Sequence, residues 1–275
     1  MHILITGQKG QLGRALQAVL PETCGADLPE VDITRPASIE AAVEAARPDL
    51  IIHCAAMTDV DGAARDPALA YRVNGLGTQN VALAAARAET PLVYISTNEV
   101  FDGSQAQPYL EFDAPHAVNP YGQSKQAGEW FVTHLTRRFY IIRIAWLAAP
   151  GGHNFIHRIQ QLADQQGRLR VVTDEVANPT FVGDVAQAIA RLIGTGRFGI
   201  YHLTNAGYCS RFDYARHILD LSGRGHIPLE PIRRADYPRP SVPPAFTALA
   251  NTAAAALGIT LRPWQEALAD FLRAP

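Results

Sequence analysis

Short apolar runs alternate with amphipathic stretches along the first half of the chain. Such runs are typical of strands buried on both faces, and apolar residues three and four positions apart are typical of helices. The pattern predicts strands at residues 2–6, 49–54, 91–96 and 139–146. It predicts helices at residues 12–20, 36–46, 67–88 and 119–136, with Thr34 as the cap of the second. Because strands separated by helices of this length form βαβ units, we expect a parallel sheet.

The alternation loosens after residue 147. Helices are predicted at residues 154–165, 182–193, 212–221 and 263–272, and strands at residues 168–172 and 199–204. Six prolines between residues 228 and 244 predict irregular structure, whereas the alanines at 253–256 predict a helix. We therefore predict an α/β fold, a Rossmann-type doubly wound parallel sheet with a smaller C-terminal substrate lobe. The expected core is residues 1–147, to which some later segments return, and the lobe is mainly residues 148–275.

Composition narrows the classes of function. The 275 residues carry a net charge of −2, and no apolar run is long enough to span a bilayer, so neither nucleic acid nor membrane is expected as a partner. Cys24, Cys54 and Cys209 are scattered, which favours a reducing, cytoplasmic location. Only Lys9 and Lys125 among the 24 basic residues are lysines. Because arginine supplies nearly all the ordinary surface charge, a lysine in this chain is a stronger indication of a specific role.

Several histidine and acidic residues have structural roles as their simplest interpretation. The nine histidines form no metal-binding pattern, so no metal site is predicted. His53 ends an apolar strand and is expected in the core. We expect Asp59, Asp61 and Asp66 to cap helices and Glu111 to be solvated.

A GxxGxxG loop, Gly7, Gly10 and Gly13, joins the first strand to the first helix. Glycines in this position allow a tight turn, close approach of the backbone to a pyrophosphate, and packing of the helix on the strand. The helix N-terminus then faces the phosphates. The alternative is a strand–turn–helix corner that is merely rich in glycine. We predict that the loop, with Gln11 and Leu12, binds a dinucleotide.

Asp27 lies about 20 residues beyond Gly7, near the spacing at which an acid holds a ribose hydroxyl group. Such an acid favours NAD(H) over NADP(H), although a solvated turn residue is an equal alternative. Asp32 and Ile33 are a second candidate pair, at the adenine end. No arginine stands in an evident position for a 2′-phosphate, so the predicted cofactor is NADPH or NADH.

Tyr121 and Lys125 are four residues apart at the start of a predicted helix and so share one face of it. A phenol with a pKa near 10 transfers protons poorly at neutral pH, and a nearby ammonium lowers that pKa. We therefore predict that Tyr121 donates a proton to a carbonyl oxygen and that Lys125 lowers its pKa. An ordinary surface pair is the alternative.

Thr97 follows a predicted strand and is a candidate to bind the same carbonyl oxygen. The carboxyl edge of a parallel sheet is where such folds place ligands. Ser96 is the neighbouring candidate, but side chains alternate along a strand, so only one of the two hydroxyls faces the site.

These features, in this order, resemble the extended short-chain dehydrogenase/reductase family, and within it the dTDP-4-dehydrorhamnose reductase subfamily. The stretches that carry the closer resemblance are CAAMTDVD at 54–61, STNEVFDG at 96–103, NPYGQSK at 119–125, RIAW at 143–146, GHNF at 152–155, NPT at 178–180 and PW at 263–264. The resemblance covers nearly the whole chain.

The resemblance implies reduction of the 4-keto group of a nucleotide-linked 6-deoxysugar. Tyr121 is then the proton donor, Lys125 the ribose anchor and Thr97 the carbonyl partner, with Ala55 and Ala56 beside the cofactor. The residues implied at the substrate are Thr58, Val60, Asn98, Trp146 and Arg239. For Trp146 a plain core position is an equal alternative.

The sequence departs from the subfamily pattern in three places. Asp-Tyr usually follows the catalytic Thr, but here the pair is Asn98-Glu99. The usual Asp-Gln-x-Gly-x-Pro-Thr is replaced at residues 174–180, and the Arg-Pro-rich segment is altered at residues 239–244. A diphosphate needs arginines, for which Arg234, Arg239 and Arg262 are candidates. The identity of the sugar and of the nucleotide therefore stays open.

Two other functions use the same scaffold. One is a redox-neutral nucleotide-sugar epimerase or dehydratase, and the other is a non-catalytic, cofactor-binding regulatory subunit. Asn98-Glu99 supplies one carboxylate where dehydratases often carry two, which argues against dehydration. A homodimer is a further possibility left open by the sequence.

Overall fold

The computed structural model describes residues 1–151 and 154–273. Part of the GHNF stretch, Gly152 and His153, lies outside the described residues. The strands are β1 (Ile3–Thr6), β2 (Thr23–Ala26), β3 (Leu50–His53), β4 (Leu92–Thr97), β5 (Phe139–Ile144), β6 (Leu147–Ala148), β7 (Leu169–Val172), β8 (Val176–Ala177), β9 (Thr180–Phe181), β10 (Gly199–His202), β11 (Cys209–Ser210) and β12 (Leu229–Ile232). The helices are α1 (Gln11–Val19), α2 (Pro36–Ala46), α3 (Val60–Arg65), α4 (Pro67–Ala70), α5 (Gly77–Arg87), α6 (Pro120–Leu135), α7 (Phe155–Gln166), α8 (Val182–Ile193), α9 (Arg211–Leu221), α10 (Thr252–Ala256) and α11 (Trp264–Arg273).

Six parallel strands form the central sheet in the order β10-β5-β4-β3-β1-β2, which confirms the predicted fold class. The order reverses between β1 and β3, and in such sheets ligands bind at the carboxyl edge beside this switch point. Helices α1 and α8 cover one face, and α2, α5 and α6 cover the other. Leu16 of α1 and Ile189 of α8 are fully buried, each stabilising the fold by about 1.5–3 kcal/mol.

A second apolar cluster lies beyond β5, around α7, α9 and α11. Its largest fully buried side chains belong to Trp264 and Tyr214. Three two-stranded sheets, β7 with β12, β6 with β9, and β8 with β11, frame the cluster. Strand β10 nevertheless pairs with β5 in the main sheet, so the chain returns from this region to the core. The division at residue 147 stays a prediction.

Several local predictions are wrong. Thr34 does not cap α2, because its N–H and hydroxyl both donate to Asp32 and Arg35 occupies the cap position. The proline-containing stretch holds strand β12, which pairs with β7 on one side only; an edge strand tolerates Pro231, which lacks an N–H. Strand β2 was missed because it is a short edge strand with one fully buried residue, Ala26.

The long predicted helix at 67–88 is interrupted by a π-helical turn at Tyr71–Leu76. The turn carries Asn74, which is fully buried. Asn74 accepts a hydrogen bond from the Met57 amide at 2.8 Å and donates to the Ser124 hydroxyl at 3.0 Å. The π turn therefore ties the loop after β3 to helix α6, a use typical of such turns near functional sites.

Glu111 is buried rather than solvated, so that prediction is also wrong. It is only 8% exposed, and it accepts hydrogen bonds from the Thr252 hydroxyl and from the Ala253 amide. The carboxylate thus fixes the start of α10 against the main sheet. Within the described residues, no helix is long and apolar enough to cross a membrane.

Candidate active site

The glycine loop is shaped by backbone contacts that no larger residue can make. Gly7 has φ +70°, and a Cβ there would lie 2.6 Å from the Ala55 amide nitrogen. A Cβ on Gly13 would lie 2.3 Å from the Gly7 carbonyl oxygen. Gly10 is the N-cap residue of α1 and makes no side-chain cap, so the first amides of α1 face outward from the loop. Such an arrangement suits a pyrophosphate.

Gln11 begins α1 beside the loop, and Leu12 points into the core, where it is 6% exposed. Ala55 and Ala56 follow β3 and lie opposite the loop, since Ala55 is the residue that Gly7 approaches. These positions are compatible with the predicted cofactor contacts, which stay predictions.

Asp27 has both carboxylate oxygens engaged within the protein. Oδ2 accepts from the Lys9 amide and Oδ1 from the Leu28 amide, each at 2.9 Å. Lys9 also donates through Nζ to the Leu28 carbonyl at 2.6 Å and to Glu30 at 3.3 Å. Asp27 therefore joins the glycine loop to the end of β2, and a lysine ammonium lies at the same corner.

Asp32 and Ile33 lie further along this corner. Asp32 Oδ1 accepts from the amide and hydroxyl of Thr34, and Ile33 is buried against Gly77 at the start of α5. Both residues shape the loop between β2 and α2. Their predicted contact with adenine stays a prediction.

Tyr121 and Lys125 lie on the first two turns of α6, which begins where sequence predicts. Asn119 is the N-cap, and its Oδ1 accepts from the Gly122 amide at 2.8 Å. Lys125 is 3% exposed, with Nζ 4.2 Å from the centre of the Tyr94 ring. Within the described residues Nζ makes no hydrogen bond or ion pair. Burial lowers the pKa of Lys125 to about 7, opposed by the charge of Glu129.

The net pKa shift of Tyr121 is opposite to the predicted lowering, and the charge of Lys125 is not among its causes. The pKa of Tyr121 is raised, first by burial and then by the negative charge of Glu99, while contact with the Thr97 hydroxyl acts in the opposite sense. The sequence argument considered the nearby ammonium but not the burial of the phenol. Tyr121 is therefore held as a protonated phenol, the form that a proton donor needs.

Thr97 and Ser96 face opposite ways, as the alternation along β4 predicts. The Ser96 hydroxyl donates to Glu129 at 2.5 Å behind the sheet. The Thr97 hydroxyl donates to Asn98 Oδ1 at 3.2 Å, and Asn98 donates to Thr247 at 2.6 Å. Both polar ends of the Asn98 amide are thus engaged within the protein, one by Thr97 and one by Thr247. The predicted contact of Asn98 with the substrate stays a prediction.

An open cleft of about 1600 Å³ separates α3 and the proline-containing segment from α7 and α9. Trp146 lies in its wall with φ +37°, a backbone conformation that is rare for a bulky residue. The Arg211 guanidinium stacks 3.6 Å from the centre of the Trp146 ring and pairs with Glu175 at 2.8 Å. Trp146 is therefore a half-buried wall residue of the cleft rather than a plain core aromatic.

Two of the three candidate arginines line this cleft. Arg239 pairs with Asp61 at 2.9 Å, and Arg234 donates from its amide to Asp174 at 2.8 Å. Arg262 instead pairs with Asp184 and Asp270 and does not line the cleft, so its predicted diphosphate role gains no support from this geometry. Thr58 is exposed and Val60 begins α3, close to Asp59 and Asp61, which line the cleft.

Other predictions for polar residues have mixed outcomes. His53 is in the core as predicted; its ring contacts the hydroxyls of Thr6 and Thr78, and burial lowers its pKa to about 3. Asp66 caps α4 as predicted, by accepting from the Leu69 amide, whereas Asp61 pairs with Arg239 instead. In residues 1–151 and 154–273, no three His, Cys, Asp or Glu side chains group as metal ligands.

Glu99, Glu175 and Arg211 were not singled out as site residues. Glu99 and Glu175 stand at positions where the sequence departs from the subfamily pattern, and Arg211 belongs to no motif. Their proximity depends on contacts between β4, β8 and α9, which no local sequence signal reveals.

The described residues fit a nicotinamide dinucleotide. The cradle at Gly7 and Gly13 is closed to any side chain, and the buried Lys125 ammonium has hydrogen-bonding capacity that no described residue uses. Together they supply a backbone site for phosphates and a donor for a ribose hydroxyl.

Comparison with known proteins shows the family to which the chain belongs. The family described as the RmlD substrate binding domain matches residues 1–274. The chain belongs to this family. Its similarity to individual family members extends over the full length.

The dTDP-4-dehydrorhamnose reductase of Mycobacterium tuberculosis is 37% identical, over 100% of this chain and 93% of the relative. The spore coat polysaccharide biosynthesis protein SpsK of Bacillus subtilis is 34% identical, over 98% of this chain and 96% of the relative. The crystal structure of the Bacillus anthracis dTDP-4-dehydrorhamnose reductase in complex with NADP matches with a TM-score of 0.94 and 35% identity, over 99% of this chain and 98% of that one.

Proposed function

We propose that the chain is an NAD(P)H-dependent oxidoreductase that reduces the 4-keto group of a nucleotide-linked 6-deoxysugar, as in dTDP-rhamnose biosynthesis. The observation that carries the proposal is that one chain combines a glycine cradle after β1, Thr97 at the end of β4, and Tyr121 with the buried Lys125 on the first turns of α6. This chain is 37% identical to a dTDP-4-dehydrorhamnose reductase. The B. anthracis reductase was solved with NADP, which supports a nicotinamide cofactor for this chain too.

Each end of the site has a task in this proposal. The amides at the start of α1, around Gly10, hold the pyrophosphate, and Lys125 Nζ holds a ribose hydroxyl group. The nicotinamide, when bound, supplies the hydride. Tyr121 gives the keto oxygen a proton, and the Thr97 hydroxyl, turned from Asn98 Oδ1 toward the substrate, donates a hydrogen bond to the same oxygen. Because the pKa of Tyr121 is raised, the phenol carries that proton across the neutral pH range.

The sugar and its nucleotide occupy the cleft. Trp146 offers a flat apolar wall, and the arginines near it, Arg211 and Arg239, carry positive charge toward a diphosphate. Thr58 and Val60 are sequence neighbours of Asp59 and Asp61, which line the cleft, and Asn98 acts through Thr97. A homodimer stays possible and is not needed for any of these contacts.

The test is a spectrophotometric assay at 340 nm with enzymatically made dTDP-4-dehydrorhamnose and NADPH or NADH. We expect loss of absorbance that requires both protein and sugar. Tyr121→Phe should reduce kcat by at least about 100-fold, the usual contribution of a general acid, and leave the cofactor Kd within about twofold. Tyr71→Phe is the matched control, because Tyr71 is 45% exposed and lies in the π turn.

Unchanged turnover in Tyr121→Phe would contradict the mechanism. Redox-neutral conversion of the sugar, with cofactor retained through purification, would instead identify an epimerase. Cofactor binding with no turnover of any 4-ketosugar would favour a regulatory subunit.

A further inference from the structure

The three departures from the subfamily pattern lie far apart in the sequence but meet at one place. Glu99 follows β4, Glu175 precedes β8, and Arg239 lies in the proline-containing segment. The charges of Glu175 and Arg239 both act on the carboxyl of Glu99, and the charge of Glu99 acts on Tyr121. Glu99 is therefore within electrostatic range of the proton donor and of Glu175 and Arg239, two residues that line the cleft.

Glu99 is rigidly held. Its amide donates to the Thr97 hydroxyl at 3.2 Å, and Oε2 accepts from Asn119 Nδ2 at 2.6 Å. Gly122 approaches its backbone so closely that a Cβ there would lie 2.1 Å from the Glu99 carbonyl oxygen. The turn after β4 and the start of α6 thus fix the carboxylate relative to Tyr121.

The two carboxylates at this place differ in the charge of their partners. Glu175 forms an ion pair, because Arg211 Nε donates to its Oε1 at 2.8 Å, whereas the partner of Glu99 is the neutral amide of Asn119. Glu99 Oε1 accepts no hydrogen bond from any residue in the described part of the chain, although the side chain is half-buried. Oε1 is not among the buried polar atoms that lack a partner, so this oxygen is open to a ligand that brings a hydrogen-bond donor, and a bond to a charged oxygen is a strong one. Burial raises the pKa of Glu99, and the charge of Glu175 adds to that increase, whereas the hydrogen bond from Asn119 lowers the pKa.

We propose that Glu99 is a specificity-determining residue whose Oε1 accepts a hydrogen bond from the hydroxyl on the sugar carbon next to the keto carbon. This inference rests on the function proposed above. Thr97 and Tyr121 mark the keto oxygen, and Glu99 is two residues from Thr97 in the same turn. In a 4-keto-6-deoxysugar, C5 carries only the methyl group and the ring oxygen, whereas C3 carries a hydroxyl. The preferred substrate class is therefore the 3-hydroxy-4-ketosugar, and the disfavoured class is its 3-deoxy analogue.

The experiment compares kcat/KM for these two nucleotide sugars at saturating NADPH. The wild-type enzyme should prefer the 3-hydroxy sugar by about 100-fold or more, as sites built to bind a hydroxyl do. Glu99→Gln keeps an acceptor for Asn119 but puts an amide N–H₂ in place of Oε1, so the sugar hydroxyl can only accept there, and the preference should fall about tenfold. Glu99→Met removes the acceptor and should cut it about 100-fold. Because the charge of Glu99 also acts on Tyr121, turnover of the 3-deoxy sugar should change as well. The readout is the ratio of kcat/KM for the two sugars, which an effect on Tyr121 alone leaves unaltered.

Glu266→Gln is the matched control, since Glu266 lies exposed on α11. Thermal unfolding checks that each variant is folded. Equal losses for the two sugars would mean that Glu99 acts on Tyr121 rather than on the hydroxyl and would overturn the inference, as would an unchanged preference. If the wild-type enzyme reduces neither sugar, the proposed function fails instead. Calorimetric binding of the two sugars to the NADP⁺ complex then reads the preference without turnover, and equal affinities would overturn the inference too.

Discussion

The cofactor end and the sugar end of the site are built from different contacts. At the cofactor end the shape comes from backbone, with Gly7 against Ala55 and Gly13 against Gly7. At the sugar end it comes from charged side chains, above all the pairs Glu175–Arg211 and Asp61–Arg239. The first end draws on adjacent strands of one sheet, whereas the second joins α3, β8, α9 and the proline-containing segment.

This difference determines how each end can change. A backbone cradle has one shape, so a substitution there removes binding altogether. A cleft of paired charges can exchange partners while the strands beneath stay in place. The sugar end is also where the sequence leaves the subfamily pattern, at Glu99, Glu175 and Arg239. Substitutions at one end should therefore leave the other end nearly unaffected, and each prediction below tests that independence.

The largest effect is expected from Gly13→Ala at the cofactor end. Its Cβ would meet three backbone atoms within 2.8 Å, which cannot move without displacing α1 from β1. We expect NADPH affinity to fall at least about 100-fold by fluorescence titration, equivalent to about 3 kcal/mol. Gly183→Ala is the control, because nothing lies within 4 Å of its Cβ in α8; it should raise stability by about 0.5–1 kcal/mol. Normal NADPH binding by a folded Gly13→Ala variant would show that the cradle is not the phosphate site.

At the sugar end, Arg211→Met should lower kcat/KM for the nucleotide sugar by about 10- to 100-fold. It removes the cation stacked on Trp146 and leaves Glu175, 8% exposed, without its partner. Urea unfolding should show a loss of about 2 kcal/mol, partly recovered by adding Glu175→Gln. The NADPH Kd should stay within about twofold.

Arg273→Met is the matched control for Arg211→Met, since Arg273 pairs with Asp270 at the surface and should cost under about 0.5 kcal/mol. A loss of NADPH affinity in Arg211→Met as large as the loss for the sugar would mean that the two ends are not independent.

The contrast also explains what sequence reasoning could recover. Helix α6 was predicted because Asn119, Pro120 and the spacing of Tyr121 and Lys125 are local signals. The partner of a buried charge is not local. Glu111 was predicted to be solvated because its donor, Thr252, is distant in the chain. The role of Arg211 could not be predicted because its partners, Trp146 and Glu175, come from other segments.

The same limit affected the electrostatics of the proton donor. The spacing of Lys125 from Tyr121 suggested that the ammonium sets the pKa of the phenol. In the fold, burial is the largest cause for both groups. It raises the pKa of Tyr121 and lowers the pKa of Lys125, and Glu99 adds a negative charge near the phenol from another element. Burial is a property of the assembled structure, so helical spacing alone could not reveal it.

Lys125 offers a test of the cofactor end through protons. Its pKa of about 7 means that the amine is mostly neutral at pH 8. If the ammonium form holds the ribose, NADPH binding at pH 8 takes up close to one proton, about 0.9. Affinity should then fall as pH rises above 7, by up to about tenfold per unit. Calorimetry in buffers of different ionisation enthalpy measures the uptake, and Lys125→Met should abolish it. Binding without proton uptake would contradict the assigned role, and sugar-end variants such as Arg211→Met should leave the uptake unchanged.

The smallest effects concern the choice between NADPH and NADH. Two residues at the cofactor end, Asp27 and Lys9, are candidates to determine that choice. Asp27 gives both oxygens to backbone amides, whereas Lys9 Nζ lies at the same corner and is largely exposed. An acid already satisfied by the loop repels a 2′-phosphate less effectively than a free one, and an exposed ammonium attracts it. Lys9→Gln should therefore lower the NADPH/NADH ratio of kcat/KM by about tenfold, one charge-assisted contact, whereas Asp27→Asn should change it less than about threefold. A tenfold shift from Asp27→Asn with none from Lys9→Gln would contradict this assignment and identify Asp27 as the ribose ligand.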